Sequence, residues 1–214
     1  MNMARNSTIS DYLERAIKFH NFVFNNAPRG SYKTERRSTL FVALCDLTVE
    51  HHGAIITLIQ SEQYDGSALA LLRPLFETCS RAFWTLYCAT EDELAGITGK
   101  RAAFPTLTAC ANAIQEYFAK QNHPNLFTPG RDYIDQLHGF THSGIEQLQS
   151  RIGPGLIVKP DYSDGTICKL LQQATIWMAS VSIAQLHFIE GSGSDRLTKL
   201  YTELFQSDKT TKGD

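Results

Sequence analysis

The spacing of apolar residues constrains this chain more than any other feature of its sequence. In two segments, apolar side chains recur at alternating intervals of three and four residues, which places them on one face of an α-helix. These positions are Leu40, Leu44, Leu47, His51, Ala54 and Leu58, then Leu69, Leu72, Phe76, Cys79, Phe83 and Leu86. A third long helix is predicted from about Asp164 to Glu190. No alternating pattern of useful length indicates a strand, so we predict an all-α multi-helix bundle.

Shorter segments complete the predicted bundle. Helices are expected at about 9–26, 106–121, 131–150 and 193–206. Six of the seven prolines fall between the helical segments, as expected where helices end. We predict a single domain over residues 1–206, with a loop crossing the bundle at 153–160 and a polar C-terminal tail at 207–214.

Composition favours a protein of the reducing cytoplasm. Lys and Arg total 20 against 22 Asp and Glu, a net charge of −2, which argues against a duplex-DNA binder with a basic face. The five cysteines are widely spaced without a Cys-x-x-Cys pair, so neither a disulfide framework nor a zinc ribbon is predicted. The N-terminus does not resemble a secretory signal, and polar residues interrupt the apolar run at 170–189. We therefore expect no membrane span and no cofactor.

Pro74 lies inside the strongest helical pattern. It cannot donate a hydrogen bond to the carbonyl of Ala70, so the helix is expected to kink or start again there. Arg73 and Glu77 flank it, four residues apart on one face, where they can form an ion pair. Because the surrounding residues are almost all apolar, the pair is expected to be at least half buried. It either fixes helix packing or holds an arginine that binds an anion.

Three polar residues, Glu50, His51 and His52, interrupt the first long apolar helix. His51 occupies a position of the repeat that otherwise carries Leu or Ala. Its imidazole is therefore predicted to point into the bundle, where a buried ring needs a hydrogen-bond partner. Two interpretations remain for His51: a satisfied core histidine, or a residue of a functional site.

The segment from Arg131 to Glu146 is the strongest candidate site in the sequence. His138, His142 and Glu146 follow one another at intervals of four residues. An unbroken helix therefore places all three on one face, together with Asp135. Two glycines and a serine within the segment weaken the helical pattern, and they would also let a neighbouring backbone or a ligand approach closely. The alternative interpretation is a helix N-terminal cap with histidines on the surface.

Two stretches of the chain together resemble a known superfamily. Tyr64–Glu77 contains the Arg73-Pro74 pair, and Leu137–Gly144 contains both candidate histidines. The combination looks like an uncharacterised branch of bacterial helical proteins that is similar to the HEPN superfamily, over roughly residues 35–190. The resemblance implies an all-α bundle that forms a homodimer. Many members of that superfamily are metal-independent ribonucleases of toxin–antitoxin or phage-defence systems, which implies an antitoxin-like protein as a further partner.

The resemblance also implies catalytic residues, and the sequence offers two assignments. The superfamily motif is an Arg followed, after four to six residues, by a His; Arg131 and His138 fit it with six residues between them. The second assignment pairs His142 with Arg73 from another helix. Residues expected to support the site are Glu77, His51 and Glu50.

Such a site would cleave RNA without a metal. A base takes the proton of the 2′-hydroxyl, an acid protonates the leaving 5′-oxygen, and a cation stands beside the phosphorane; histidines and an arginine supply these groups. Affinity for RNA is expected from basic residues near the start of the second helix, namely Arg36, Arg37 and Lys33. Two alternatives remain: a non-catalytic module that binds nucleotide, nucleic acid or protein, and a metal-binding bundle that uses His138 and His142.

Overall fold

The structure is a computed structural model that describes residues 7–26, 35–98, 103–123, 131–142, 144–152, 162–190 and 194–205. Within these ranges it contains helices and no strands, so the predicted all-α bundle is confirmed. The helices are α1 (Ser7–Asn26), α2 (Arg36–Gln60), α3 (Asp65–Tyr87), α4 (Glu91–Ile97), α5 (Leu107–Lys120), α6 (Arg131–Thr141), α7 (Ile145–Gln149), α8 (Asp164–Glu190) and α9 (Ser194–Phe205). The predicted loop at 153–160 and the tail at 207–214 lie outside the described residues.

The long helices α2, α3 and α8 pack against one another and carry most of the core. α1 covers α2 and α8, whereas α5 and α6 pack on α3. The apolar stripe predicted on α3 is buried from Leu69 to Phe83, and only its last member, Leu86, is half buried. α3 is therefore the element on which the candidate site is built.

On α2 the predicted stripe lies one position away from the face that is most buried. Leu47 is 41% exposed and His51 is half buried, whereas Thr48 and His52 are fully buried. α2 contacts α1, α3 and α8, so its buried surface is wider than one stripe, and the three-four spacing alone does not fix its centre. The prediction that His51 points into the bundle is therefore wrong; the core histidine is His52.

His52 is held by a chain of hydrogen bonds that fixes its tautomer. Thr175 Oγ1 donates to the carbonyl of Leu171 at 2.7 Å, so it accepts from Nε2 of His52 at 3.1 Å. Nδ1 of His52 then carries no proton and accepts from Nδ1 of His20 at 3.2 Å. Burial, and to a lesser extent the nearby His20, lowers the pKa of His52 to about 3. His52 is thus a neutral ring that joins α1, α2 and α8.

The close approach of α1 to α2 requires a glycine beside these histidines. A Cβ added at Gly53 would lie 2.9 Å from Cε1 and 3.1 Å from Nε2 of His20. Although alanine normally favours a helix interior by about 1 kcal/mol, we expect Gly53→Ala to lower the free energy of unfolding by roughly 1–3 kcal/mol, because the ring must move. Denaturant melts measure this change.

The matched control is Gly96→Ala in α4, where an added Cβ meets nothing within 4 Å. It should leave the free energy of unfolding unchanged or raise it by up to about 1 kcal/mol. An equal effect of the two substitutions would contradict the role assigned to the His20 contact.

Two further features of the helices were not expected from the sequence. α4 begins with a capping box, in which Thr90 accepts from the backbone of Glu93 and the Glu93 carboxylate accepts from the backbone of Thr90.

Of the described helices, α2 is long and apolar enough to cross a membrane by length and composition, with a mean hydropathy of 1.3 over its most apolar window of 18 residues. Core helices of soluble proteins meet the same criterion, and 44% of this window is buried in the structure.

Candidate functional site

Three charged side chains form a row along one face of α3. Nε of Arg73 donates to Oε1 of Glu77 at 2.9 Å, and Arg81 lies 3.4 Å from the other oxygen of the same carboxylate. The exposed fractions of the three side chains are between 19% and 30%, so the expected half-buried pair is present and extends to a second arginine. The guanidinium of Arg81 also stacks over Phe104, with 5.3 Å to the ring centroid. Two cations therefore share one carboxylate, and the row carries a net positive charge.

Pro74 provides the attachment point for α6. α3 continues through Pro74 without starting again, so the Ala70 carbonyl lacks the helical hydrogen bond that residue 74 would otherwise donate. The hydroxyl of Thr141, the last residue of α6, lies 3.2 Å from this carbonyl and 2.9 Å from the carbonyl of Leu137 in its own helix, so the two acceptors share its single proton. Because a half-buried carbonyl without a donor costs free energy, the proline in α3 favours docking of the end of α6 at this point.

We expect Thr141→Val to lower the free energy of unfolding by about 1–3 kcal/mol, because Val fills the same space but leaves the Ala70 carbonyl without its donor. In a Pro74→Ala background the backbone N–H of residue 74 supplies that hydrogen bond, so the same substitution should cost less than half as much. A double-mutant cycle in denaturant measures the coupling. Strictly additive effects of the two substitutions would show that the hydroxyl and the proline are independent.

This docking brings two imidazoles to the charged row. Nη1 of Arg73 contacts Nδ1 of His138, and the rings of His138 and His142 have centroids 4.3 Å apart. Because a guanidinium can only donate, His138 accepts at Nδ1 and, as a neutral ring, carries its proton on Nε2. Both histidines are exposed. The structure therefore presents an arginine and two histidines at one accessible surface.

The prediction of an unbroken helix over 131–150 is wrong. α6 ends at Thr141, and the backbone N–H of Gly144 donates to the carbonyl of Gly139 at 2.7 Å, which closes a turn before α7 begins at Ile145. The single face of four acidic and histidine side chains is therefore interrupted: His142 lies in the turn, Glu146 belongs to α7, and its side chain is outside the described residues.

α7 is fixed to the same two helices by a side-chain amide. Nε2 of Gln147 donates to the carbonyls of Gly66, at the start of α3, and Phe140, in α6, at 2.9 and 2.7 Å. The turn that carries His142 is therefore held on both sides, by Thr141 and by Gln147. Neither anchor was predicted from the sequence.

The structure distinguishes the two predicted pairings only in part. It brings Arg73 to His138 and His142, which combines members of both assignments in one cluster. Arg131 is the first residue of α6, two turns before His138 on the same face, but its side chain lies outside the described residues. The assignment through Arg131 remains a prediction.

The supporting residues occupy two separate places. Glu77 holds Arg73, as described above. Glu50 is exposed and His51 half buried on α2; in the described part of the chain, neither is hydrogen bonded to Arg73 or to the α6 histidines. Burial lowers the pKa of His51, against a smaller opposite effect of Glu50.

The three basic residues predicted to bind RNA do not share one environment in the structure. Nη1 of Arg37 donates to the carbonyl of Thr85 at 2.6 Å, and Nη2 donates to the carbonyl of Ala89 and the carboxylate of Glu91 at 2.7 and 2.9 Å. Arg37 thereby caps the C-terminal end of α3 and fastens it to α2. Arg36 is exposed, and Lys33 lies outside the described residues.

Within the described residues, no group of three or more His, Cys, Asp or Glu side chains is placed so that it could hold a metal ion. The five cysteines are free thiols, three of them buried, and burial raises the pKa of each.

Comparison with known proteins gives one finding that covers most of the chain. Residues 45–204, about three quarters of the sequence, match the model of a family of unknown function, DUF6988. No curated protein and no solved structure matches the chain significantly. The matched region includes α3, α6 and α8, and thus the whole arrangement of Arg73, His138 and His142. The chain therefore belongs to the DUF6988 family of unknown function.

Proposed function

We propose that this protein is an HEPN-like bundle that binds RNA and cleaves it without a metal ion at Arg73, His138 and His142. The proposal is carried by the two exposed imidazoles, 4.3 Å apart between ring centroids, one of which contacts a half-buried guanidinium. Histidines exchange protons near neutral pH, and arginine binds phosphate oxygens through two parallel hydrogen bonds.

The proposed roles follow from the hydrogen bonds that the site makes in the absence of RNA. Arg73 turns toward the scissile phosphate and stabilises the charge that develops on its oxygens. This movement frees Nδ1 of His138, whose ring can then take up a proton and donate it to the leaving 5′-oxygen. His142 is the base that accepts the proton of the attacking 2′-hydroxyl. Glu77 keeps the guanidinium at the correct place on α3.

The charged row also suggests a path for the RNA backbone. Arg81 lies about 12 Å from Arg73 along α3 by helix rise. Arg36 is the exposed first residue of α2, next to Arg37, which contacts the C-terminal end of α3. We propose that these cations contact phosphates of one strand. Because Arg37 is engaged in the fold, we assign the exposed contact to Arg36 and not to its neighbour.

We also propose that the protein forms a homodimer. A homodimer would place two copies of the site near each other and let them share acid and base roles. α7 and the turn after it expose three apolar side chains, Ile145 (59%), Leu148 (52%) and Ile152 (43%), which suit such an interface. From the HEPN resemblance we also propose that the protein acts in the cytoplasm, in a toxin–antitoxin or phage-defence system with an antitoxin-like partner.

A cleavage assay in chelator tests the central claim. Purified protein is incubated with single-stranded RNA, and with the same RNA carrying 2′-O-methyl groups, in the presence of EDTA. We expect cleavage of the unmodified strand into products with 2′,3′-cyclic phosphate ends, because the 2′-hydroxyl is the nucleophile. The methylated strand should bind and remain intact.

Three results would overturn the assignment in different ways. Cleavage of the methylated strand would require a different nucleophile. Cleavage only after addition of a divalent metal would favour the metal-binding alternative. Binding of both strands without cleavage of either would identify a non-catalytic module.

A further inference from the structure

A second concave surface lies on the opposite flank of α6 from the histidines. It is a groove of about 480 Å³ between α3, α6 and α8, within the range of small-molecule sites. Its apolar part is formed by leucines of all three helices, among them Leu72, Leu137 and Leu170. The residues of α6 that line it are three and four positions apart, so they form the face turned away from His138.

Tyr133, in the wall of this groove, is held in place by neighbouring side chains. The hydroxyl of Tyr133 accepts from Nε1 of Trp177 at 3.3 Å and donates to Oε1 of Gln173 at 3.4 Å. The rings of Tyr133 and Trp177 each pack edge-on against Phe76, with centroids 5.6 and 4.8 Å apart. Tyr133 therefore offers a ring surface in a fixed orientation to an aromatic ligand, and Phe140 lines the groove two turns further along α6.

The polar side chains at the groove include several amides and one cation. Three are primary amides, from Gln136, Gln172 and Gln173, each of which can both donate and accept. Lys169 is the one charged residue among the described lining, and in the described part of the chain no carboxylate lies within ion-pair distance of it. A groove with an apolar floor, amide edges and a single cation complements a ligand that carries one negative charge.

We propose that this groove binds a small aromatic monoanion, with its ring on Tyr133 and the leucines and its charged group toward Lys169. The amides hydrogen bond to polar atoms at the edge of the ring. This site goes beyond the proposed function and does not depend on it: the ligand occupies the flank of α6 opposite the candidate catalytic cluster.

The test uses two dyes that differ mainly in charge. We expect 1-anilinonaphthalene-8-sulfonate, an aromatic monoanion, to bind the full-length protein at one site per chain with increased fluorescence. Gln172→Glu introduces a negative charge without changing side-chain size, and Lys169→Met removes the cation. Each should weaken sulfonate binding at least fivefold, while binding of the neutral N-phenyl-1-naphthylamine changes less than twofold.

The matched control is Gln115→Glu, the same chemical change at an exposed position of α5. It should leave both dyes unaffected. The proposal is overturned if the wild-type protein does not bind the sulfonate dye, or if Gln172→Glu and Gln115→Glu have equal effects. It is also overturned if Leu148→Ser on the exposed face of α7 abolishes binding, because the dye would then occupy that surface.

Discussion

Replacing His138 by alanine should reduce the rate of RNA cleavage by about 10²- to 10⁴-fold, the usual contribution of a positioned acid or base. His142→Ala should have an effect of similar size, since the two rings perform the two proton transfers of one reaction. Both side chains are exposed, so the melting temperature should change little. Binding of 2′-O-methyl RNA should persist in both variants, because Arg73 still supplies the contact with phosphate.

His187→Ala is the matched control, since His187 is an exposed histidine of α8 outside the cluster. Its cleavage rate and melting temperature should equal those of the wild type. If His138→Ala and His142→Ala also cleave at the wild-type rate, the site is wrongly assigned. If they lose RNA binding together with cleavage, the histidines act in recognition and not in proton transfer.

Local patterns predicted the long helices well because each element carries its own signal. α8 begins and ends where its apolar and polar residues indicated, at Asp164 and Glu190. α4 was missed because it has only seven residues, too few for a periodic pattern, although Thr90 and Glu93 have the spacing of a capping box. The histidine spacing continues past the end of α6 at Thr141, and the small residues of this segment weaken the helical pattern without marking the residue at which the helix ends.

The candidate site was predicted only as separate pieces. The ion pair of Arg73 and Glu77 follows from their four-residue spacing and is present. The contact between Arg73 and His138 depends on how α6 crosses α3, which no pattern within either helix encodes. Pro74 was the available signal, because a proline in a helix leaves the carbonyl four residues earlier without a partner. That carbonyl is where Thr141 docks.

Which of His51 and His52 is buried in the core also depends on contacts between helices. Adjacent residues of a helix lie 100° apart, so a wide buried face can be centred on either. The choice was made by partners from other helices, His20 on α1 and Thr175 on α8. Only the assembled bundle shows that His52 is the buried ring, and this assignment predicts how stability depends on pH.

Lowering the pH from 7 to 5 should reduce the free energy of unfolding by about 2 kcal/mol through His52 alone, and by about 3 kcal/mol at pH 4. The pKa of this ring is about 3 in the folded protein, against an ordinary histidine value of 6.5 in the unfolded chain. Because the unfolded chain binds the proton more tightly, the stabilisation is complete above pH 6.5 and is lost progressively as the pH falls toward 3. Burial also lowers the pKa of His20, which adds to the effect in the same direction.

Urea unfolding of the wild type and of His52→Gln between pH 5 and 7.5 measures this contribution. Glutamine keeps a donor and an acceptor but does not titrate, so the variant should be less stable at pH 7.5 and should show a smaller loss of stability on acidification. His187→Gln, an exposed control, should retain the wild-type slope. Carboxylates affect all three proteins alike, so the difference in slope isolates the buried ring. Equal slopes in the wild type and His52→Gln would mean that His52 is already solvated in the folded protein, and that the hydrogen-bonded chain from His20 to Thr175 does not hold in solution.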